Sequence, residues 1–179
     1  MASDGNIKRN TNGLSLTQSA KNKNILDGFQ HHIKHTGEQY YSDKLRSYSL
    51  HWTNAEHVDD LSKFGVVPAK SLIFRLPSLD LMSVDFLRGY VDGDGCIGLY
   101  SNGTEKKYMH LSWAGTPEFI AQCNEWLPVK GRVYSRGNIS ELCFYGKKAK
   151  EVGNLLYPLP GAFMSSKWKR FTEYLLEAR

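Results

Sequence analysis

The chain has 179 residues, a formal net charge of +5 and 41% hydrophobic residues, enough to bury one compact core or two small related ones. No apolar run reaches the roughly 20 residues of a membrane-spanning helix, and no secretory signal opens the chain, so a soluble intracellular protein without a membrane partner is expected. Three widely spaced cysteines, Cys96, Cys123 and Cys143, argue against a disulfide framework or zinc knuckle and fit a reducing compartment.

Ser3-Asp4-Gly5-Asn6-Ile7 opens the chain, and Asn12-Gly13 marks a hairpin turn. Leu14 to Ser19 alternates as a half-buried strand, and Asn24 to Ile33 places Ile25, Leu26, Phe29 and Ile33 at helical spacing. Two strands, Gln39 to Asp43 and Arg46 to Thr53, precede a helix over Ala55 to Phe64. Pro68-Ala69-Lys70-Ser71 follows that helix.

Ser83 caps a second series. From Asp85 to Asp94 the chain reads as a helix with Phe86, Leu87, Tyr90 and Val91 as apolar surface on more than one side. Gly89 and Gly93 share a face and allow another backbone to approach closely. A hairpin turn at Asn102-Gly103 comes next, then a strand over Met109 to Ala114 and a helix from Pro117 carrying Phe119, Ile120, Cys123 and Leu127. Strands over Gly131 to Ser135 and Ile139 to Tyr145 flank Gly137-Asn138, a helix spans Lys147 to Leu156, and Met164-Ser165-Ser166-Lys167-Trp168 follows.

The order of elements is the same twice. Asp4 and Asp94 lie 90 positions apart, and Lys70 and Lys167 lie 97 apart, so a duplication is predicted rather than a solenoid. The halves are expected at 1–78 and 79–179, each an antiparallel sheet with helices on one face and a polar, basic other face. Two related halves suit the approximate dyad of duplex DNA.

Asp92 and Asp94 fall at a helix C-terminus, where carbonyl dipoles repel carboxylates and a divalent cation would relieve the repulsion. An EF-hand is excluded, because Tyr90 and Ser101 would occupy positions that need an acid. An acidic turn without metal is the simpler reading. His31 and His35 share a helix face, but no glutamate follows His31, so a zinc-protease motif is absent. Trp52, Trp113, Trp126 and Trp168 read as packing residues. Lys147-Lys148 and Lys167 to Arg170 either contact phosphates or decorate helix ends.

Leu87-Arg88-Gly89-Tyr90-Val91-Asp92-Gly93-Asp94-Gly95 resembles the nine-residue signature of the LAGLIDADG homing endonucleases, and the duplication extends the resemblance over almost the whole chain. The resemblance implies an α+β fold of two pseudo-symmetric αββαββα halves, with saddle-shaped antiparallel sheets lying in the DNA major groove. It implies two signature helices packed through positions such as Gly89 and Gly93. It also implies a magnesium-dependent double-strand break with short 3′ overhangs in a long target, with manganese or calcium able to substitute for binding. Carried over by position, Asp4 and Asp94 are the catalytic, metal-binding acids, with Ser3 and Gly93 beside them around two or three ions. Lys70 and Lys167 are the central basic residues. Readout is expected from Lys8, Arg9, Ser15, Thr17, Gln18, Tyr41, Arg46, Tyr48, Leu99, Tyr108, His110, Arg132, Tyr134, Arg136 and Glu141.

The chain departs from this pattern in two places. Arg88 replaces a small residue of the signature, and only Met1 and Ala2 precede Ser3, where the first signature helix is expected. Three further readings therefore stand beside the endonuclease: an intron maturase binding intron RNA, a DNA-binding protein without nuclease activity, and a split enzyme whose missing helix comes from a peptide or second protein.

Overall fold

The computed structural model describes residues 5–8, 11–68, 73–101, 103, 107–158 and 165–177. Ser3, Asp4, Arg9 and Lys70 lie outside these residues. The chain divides into two compact units, Met1–Lys70 and Ser71–Arg179.

The first unit is a four-stranded antiparallel sheet in the order β1-β2-β4-β3, formed by β1 (Gly5–Ile7), β2 (Gly13–Ser19), β3 (Tyr40–Ser42) and β4 (Ser47–Thr53). Helix α1 (Lys23–His32) packs on β2 and β4. Its Leu26 is buried with Leu14, Leu16, Leu50 and Trp52, one alternate row of each central strand. The N-cap Asn54 accepts from the His57 amide and starts α2 (Ala55–Lys63), which buries no residue. Trp52 Nε1 donates to His57 Nδ1 at 3.1 Å and ties α2 to the sheet.

The second unit repeats the plan with a larger core. Its sheet runs β5-β6-β8-β7, from β5 (Gly95–Ser101), β6 (Lys107–Gly115), β7 (Arg132–Arg136) and β8 (Ile139–Tyr145). The helices are α3 (Val84–Asp94), α4 (Pro117–Trp126), α5 (Lys147–Leu156) and α6 (Ser165–Glu177). Met109, Leu111, Trp113, Leu142 and Phe144 alternate inward and are buried with Leu87, Val91, Ile120, Cys123, Val152 and Leu156. Burial pushes the Cys123 thiol up to about 12, so it stays a protonated core side chain.

The segment before α3 belongs to this second unit. Thr116 Oγ1 donates to the Phe74 carbonyl, and the Gln122 side chain bonds both the amide and the carbonyl of Leu76, at 3.0 and 2.7 Å. Phe119 gathers the rings of Phe74, Tyr90 and Phe86, with centroids 4.8, 4.5 and 6.4 Å away. Helix α6 was not legible as an element in the sequence. It sits against α5 through Gly153, where an added Cβ would fall 2.7 Å from Phe171 Cζ. No helix among the described residues is long and apolar enough to cross a membrane.

Candidate functional site

Helix α3 carries the site. Ser83 accepts from the Phe86 amide at 3.1 Å and fixes its start. Arg88, the departure from the signature, has a side chain 11% exposed and paired with Asp85, and its guanidinium reaches the Leu156 carbonyl at the end of α5, at 3.5 Å. Its stem and charge thus serve the α3–α5 contact. Gly89 is on an exposed side of α3, and a Cβ there would meet nothing within 4 Å.

The two carboxylates at the end of α3 have opposite environments. Asp92 is buried and accepts a hydrogen bond from the Tyr157 hydroxyl at 2.9 Å. Burial, and then the Asp92 charge, pushes the Tyr157 hydroxyl well above the ordinary tyrosine range, so it stays a donor. Asp94, two residues on, is exposed. Tyr90 is also pushed up, first by burial and then by the Asp94 carboxylate, and its hydroxyl donates to the Ala114 carbonyl at 2.9 Å. Asp92 is therefore a structural acid and Asp94 the acid that can meet a ligand. Replacing Tyr157 by Phe removes a buried bond to a charged acceptor and should cost about 1.5–3 kcal/mol in equilibrium denaturation. Unchanged stability would mean that Asp92 does not need this donor.

The chain leaves α3 tightly. The Val91 carbonyl accepts from the Gly95 amide and from Lys167 Nζ at 2.7 Å, while Gly93 O lies 3.4 Å from the same ammonium. A Cβ on Gly95 would lie 2.6 Å from Val91 Cγ1, so glycine is required by close approach rather than by a positive φ. A lysine at a helix C-terminus satisfies carbonyls and complements the dipole. Here it also sets a cation beside the Gly93 carbonyl.

Asp94 and the Gly93 carbonyl are hard oxygen donors of the kind magnesium or calcium takes. No group of three or more His, Cys, Asp or Glu side chains clusters among the described residues. The donor set fits an ion that keeps waters and completes its shell with phosphate oxygens, not one enclosed by protein. His31 and His32 are exposed on α1.

Strand register sorts the expected readout residues by face. In the second unit Tyr134 pairs with Glu141, Arg132 with Cys143, and Tyr145 with His110. Arg132, Tyr134, Arg136, Glu141, Tyr108 and His110 therefore share the sheet face opposite the helices. The same rows contain Tyr100, Tyr145, Cys96 and Ser112, which were not among the residues expected there. Tyr100 and Tyr145 pack on His110 with ring centroids 4.9 Å away on either side. Burial holds the His110 imidazole below its ordinary value, so it is neutral at pH 7. Leu99 lies instead in the row of buried Ile97, on the helix side, and is half-buried.

In the first unit Ser15 and Thr17 lie on the open face, where Thr17 and Ser49 hydroxyls are 2.8 Å apart. Asn6, Ser49, His51 and Tyr40 share that face by register. Gln18, Tyr48 and Tyr41 form one cross-strand row in register with Leu14, Leu16 and Leu50, on the other face. Tyr41 and Tyr48 pack with centroids 4.8 Å apart, and Lys23 Nζ lies over the Tyr48 ring at 5.3 Å. Lys8 is exposed, its stem beside Gly13. Arg46 is exposed in the turn before β4, at φ 47°.

No protein-family model matches the chain, and no curated protein matches by sequence. Among solved structures, the I-LtrWI LAGLIDADG homing endonuclease bound to target DNA superimposes with a TM-score of 0.68 at 15% identity, over 98% of this chain and 85% of that one. The LAGLIDADG meganuclease I-AabMI bound to uncleaved DNA gives 0.70 at 11% identity, over 99% and 87%. Meganuclease I-SmaMI bound to uncleavable DNA gives 0.71 at 10% identity, over 98% and 86%. Two antiparallel four-stranded sheets and six helices among the described residues thus make up a LAGLIDADG homing-endonuclease-like α+β fold.

Proposed function

We propose that the chain is a site-specific DNA endonuclease that makes a magnesium-dependent double-strand break, leaving short 3′ overhangs. The observation that carries this reading is the end of α3, where Asp94 is exposed and the Lys167 ammonium reaches the Val91 and Gly93 carbonyls while Asp92 is withdrawn into the core. A bound magnesium ion would supply Lewis acidity and a nucleophilic water at neutral pH. Asp94 and the Gly93 carbonyl would hold it, and Asp4 with Ser3 would serve the first unit in the same way. Lys167 places positive charge where the scissile phosphate becomes more negative, and Lys70 is its proposed counterpart. The open sheet faces would lie in the major groove, where Arg and Tyr side chains in the second unit and Ser, Thr, Asn and His in the first can address base edges and phosphates.

The test is a cleavage selection. The protein is incubated in magnesium with a library of randomised intron-less duplexes, and new ends are sequenced. One enriched long site with paired breaks and 3′ overhangs is expected. Duplex binding without any cut in magnesium or manganese would make the chain a DNA-binding protein. Tight binding to folded intron RNA without DNA cleavage would make it a maturase.

A further inference from the structure

The Lys167 ammonium stands where the proposed ion would draw its charge. It is 2.7 Å from the Val91 carbonyl and 3.4 Å from the Gly93 carbonyl, at the negative end of the α3 dipole. The Gly93 carbonyl is also the backbone oxygen assigned to the ion above. A magnesium or calcium ion on that oxygen would come within about 6 Å of the ammonium, the sum of the oxygen–nitrogen and oxygen–metal distances. Two cations that close repel each other at a partly buried helix end. The Gly93 carbonyl therefore serves one of them at a time.

The surroundings of Lys167 divide into a fixed part and an exchangeable part. One turn along α6, Phe171 is buried against Gly153 and packs on the Tyr157 ring with centroids 5.6 Å apart, so the helix keeps its place when the ammonium moves. The ammonium rides on a flexible four-carbon stem. The Val91 carbonyl also accepts from the Gly95 amide, so it stays bonded when the lysine leaves. The 3.4 Å contact with the Gly93 carbonyl is long for a hydrogen bond and is given up at little cost. A divalent ion gains more from the same oxygen, because it carries twice the charge and approaches more closely. Resting on the metal-dependent endonuclease reading above, we infer that Lys167 is the stand-in cation of the metal-free site, which a divalent ion must displace from the Gly93 carbonyl in order to bind. Lys167 thereby sets the metal affinity of the second unit without being a ligand of the ion. Metal loading and release of the lysine are one event, so the ammonium turns to a phosphate only once the ion is in place.

The experiment titrates the whole DNA-free chain with terbium(III), a luminescent ion with the oxygen preference of calcium, and follows its emission excited through tyrosine and tryptophan. Lys167→Met, which keeps the stem and removes the charge, is expected to bind terbium about tenfold more tightly than the wild type. Lys167→Arg, which keeps the charge, should stay within about twofold of it. Asp94→Asn should lose this binding step. A second measurement uses the wild-type chain alone. Acylation of Lys167 by an N-hydroxysuccinimide ester, read by peptide mass spectrometry, should rise severalfold in calcium sufficient to displace the bound terbium. Equal or weaker terbium binding by folded Lys167→Met, or acylation of Lys167 unchanged by calcium, would overturn the displacement and leave Asp94 as the ion's ligand. If Lys167→Met fails to fold, the acylation result decides. Terbium binding that is absent from the wild type and both lysine variants, or untouched by Asp94→Asn, would overturn the ion site and the displacement together.

Discussion

Asp94→Asn is expected to lower magnesium-dependent cleavage by at least about 10³-fold, because the carboxylate that would hold the ion becomes a neutral amide and several kcal/mol of transition-state stabilisation go with it. Affinity for duplex should change little, since phosphate contacts made by Lys and Arg dominate binding. Stability should also be nearly preserved, because Asp94 is exposed at a helix end whose dipole disfavours its charge. That combination separates the two carboxylates of α3. Asp92 is buried against Tyr157, so substituting it should act mainly through unfolding. Cleavage by the Asp94→Asn protein at the wild-type rate would remove Asp94 from the chemistry.

Phe119→Ala should have the largest effect on stability. The side chain is fully buried and contacts rings from the segment before α3 and from α3 itself. Truncating a buried aromatic of this kind costs about 3–5 kcal/mol, which should lower the unfolding midpoint of the second unit by more than about 10 °C. The consequence for function is indirect. Tyr90 packs on Phe119 and bonds the Ala114 carbonyl, so the pair fixes the rotation of α3 and hence where Asp94 emerges. A calorimetric scan that shows a shift of only a degree or two would mean that the cluster repacks around the gap.

Much of this arrangement was legible in the residues. The helices read from Ser83, from Pro117 and over Ala55 to Phe64 lie within a residue or two of those observed, because caps and apolar spacing act locally. The duplication was legible too, since each half repeats the same order of elements. Strand faces were less so. Gln18, Tyr48 and Leu99 were expected at a nucleic-acid surface, Gln18 and Tyr48 for their polar chemistry, yet each keeps step with buried neighbours two residues away. Side-chain period, not residue type, decides the face. The same rule applied outward from Glu141 would have found Tyr145. The partnership of Lys167 with α3 joins segments far apart in sequence, and nothing in a lysine's immediate neighbours announces which carbonyl it will reach. Asp92 and Asp94 look alike as letters, and only the position of Tyr157 separates them.

Where the ion binds decides the chemistry, and iron-mediated affinity cleavage measures it without relying on DNA cutting. Ferrous iron replaces magnesium in the DNA-bound protein, ascorbate and peroxide generate radicals at the metal, and the polypeptide is cut beside it. Scission within a few residues of Asp94, suppressed by excess magnesium and lost in Asp94→Asn, is the expected result. Scission centred elsewhere, for instance around His31 and His35, or a pattern unchanged by Asp94→Asn, would contradict it.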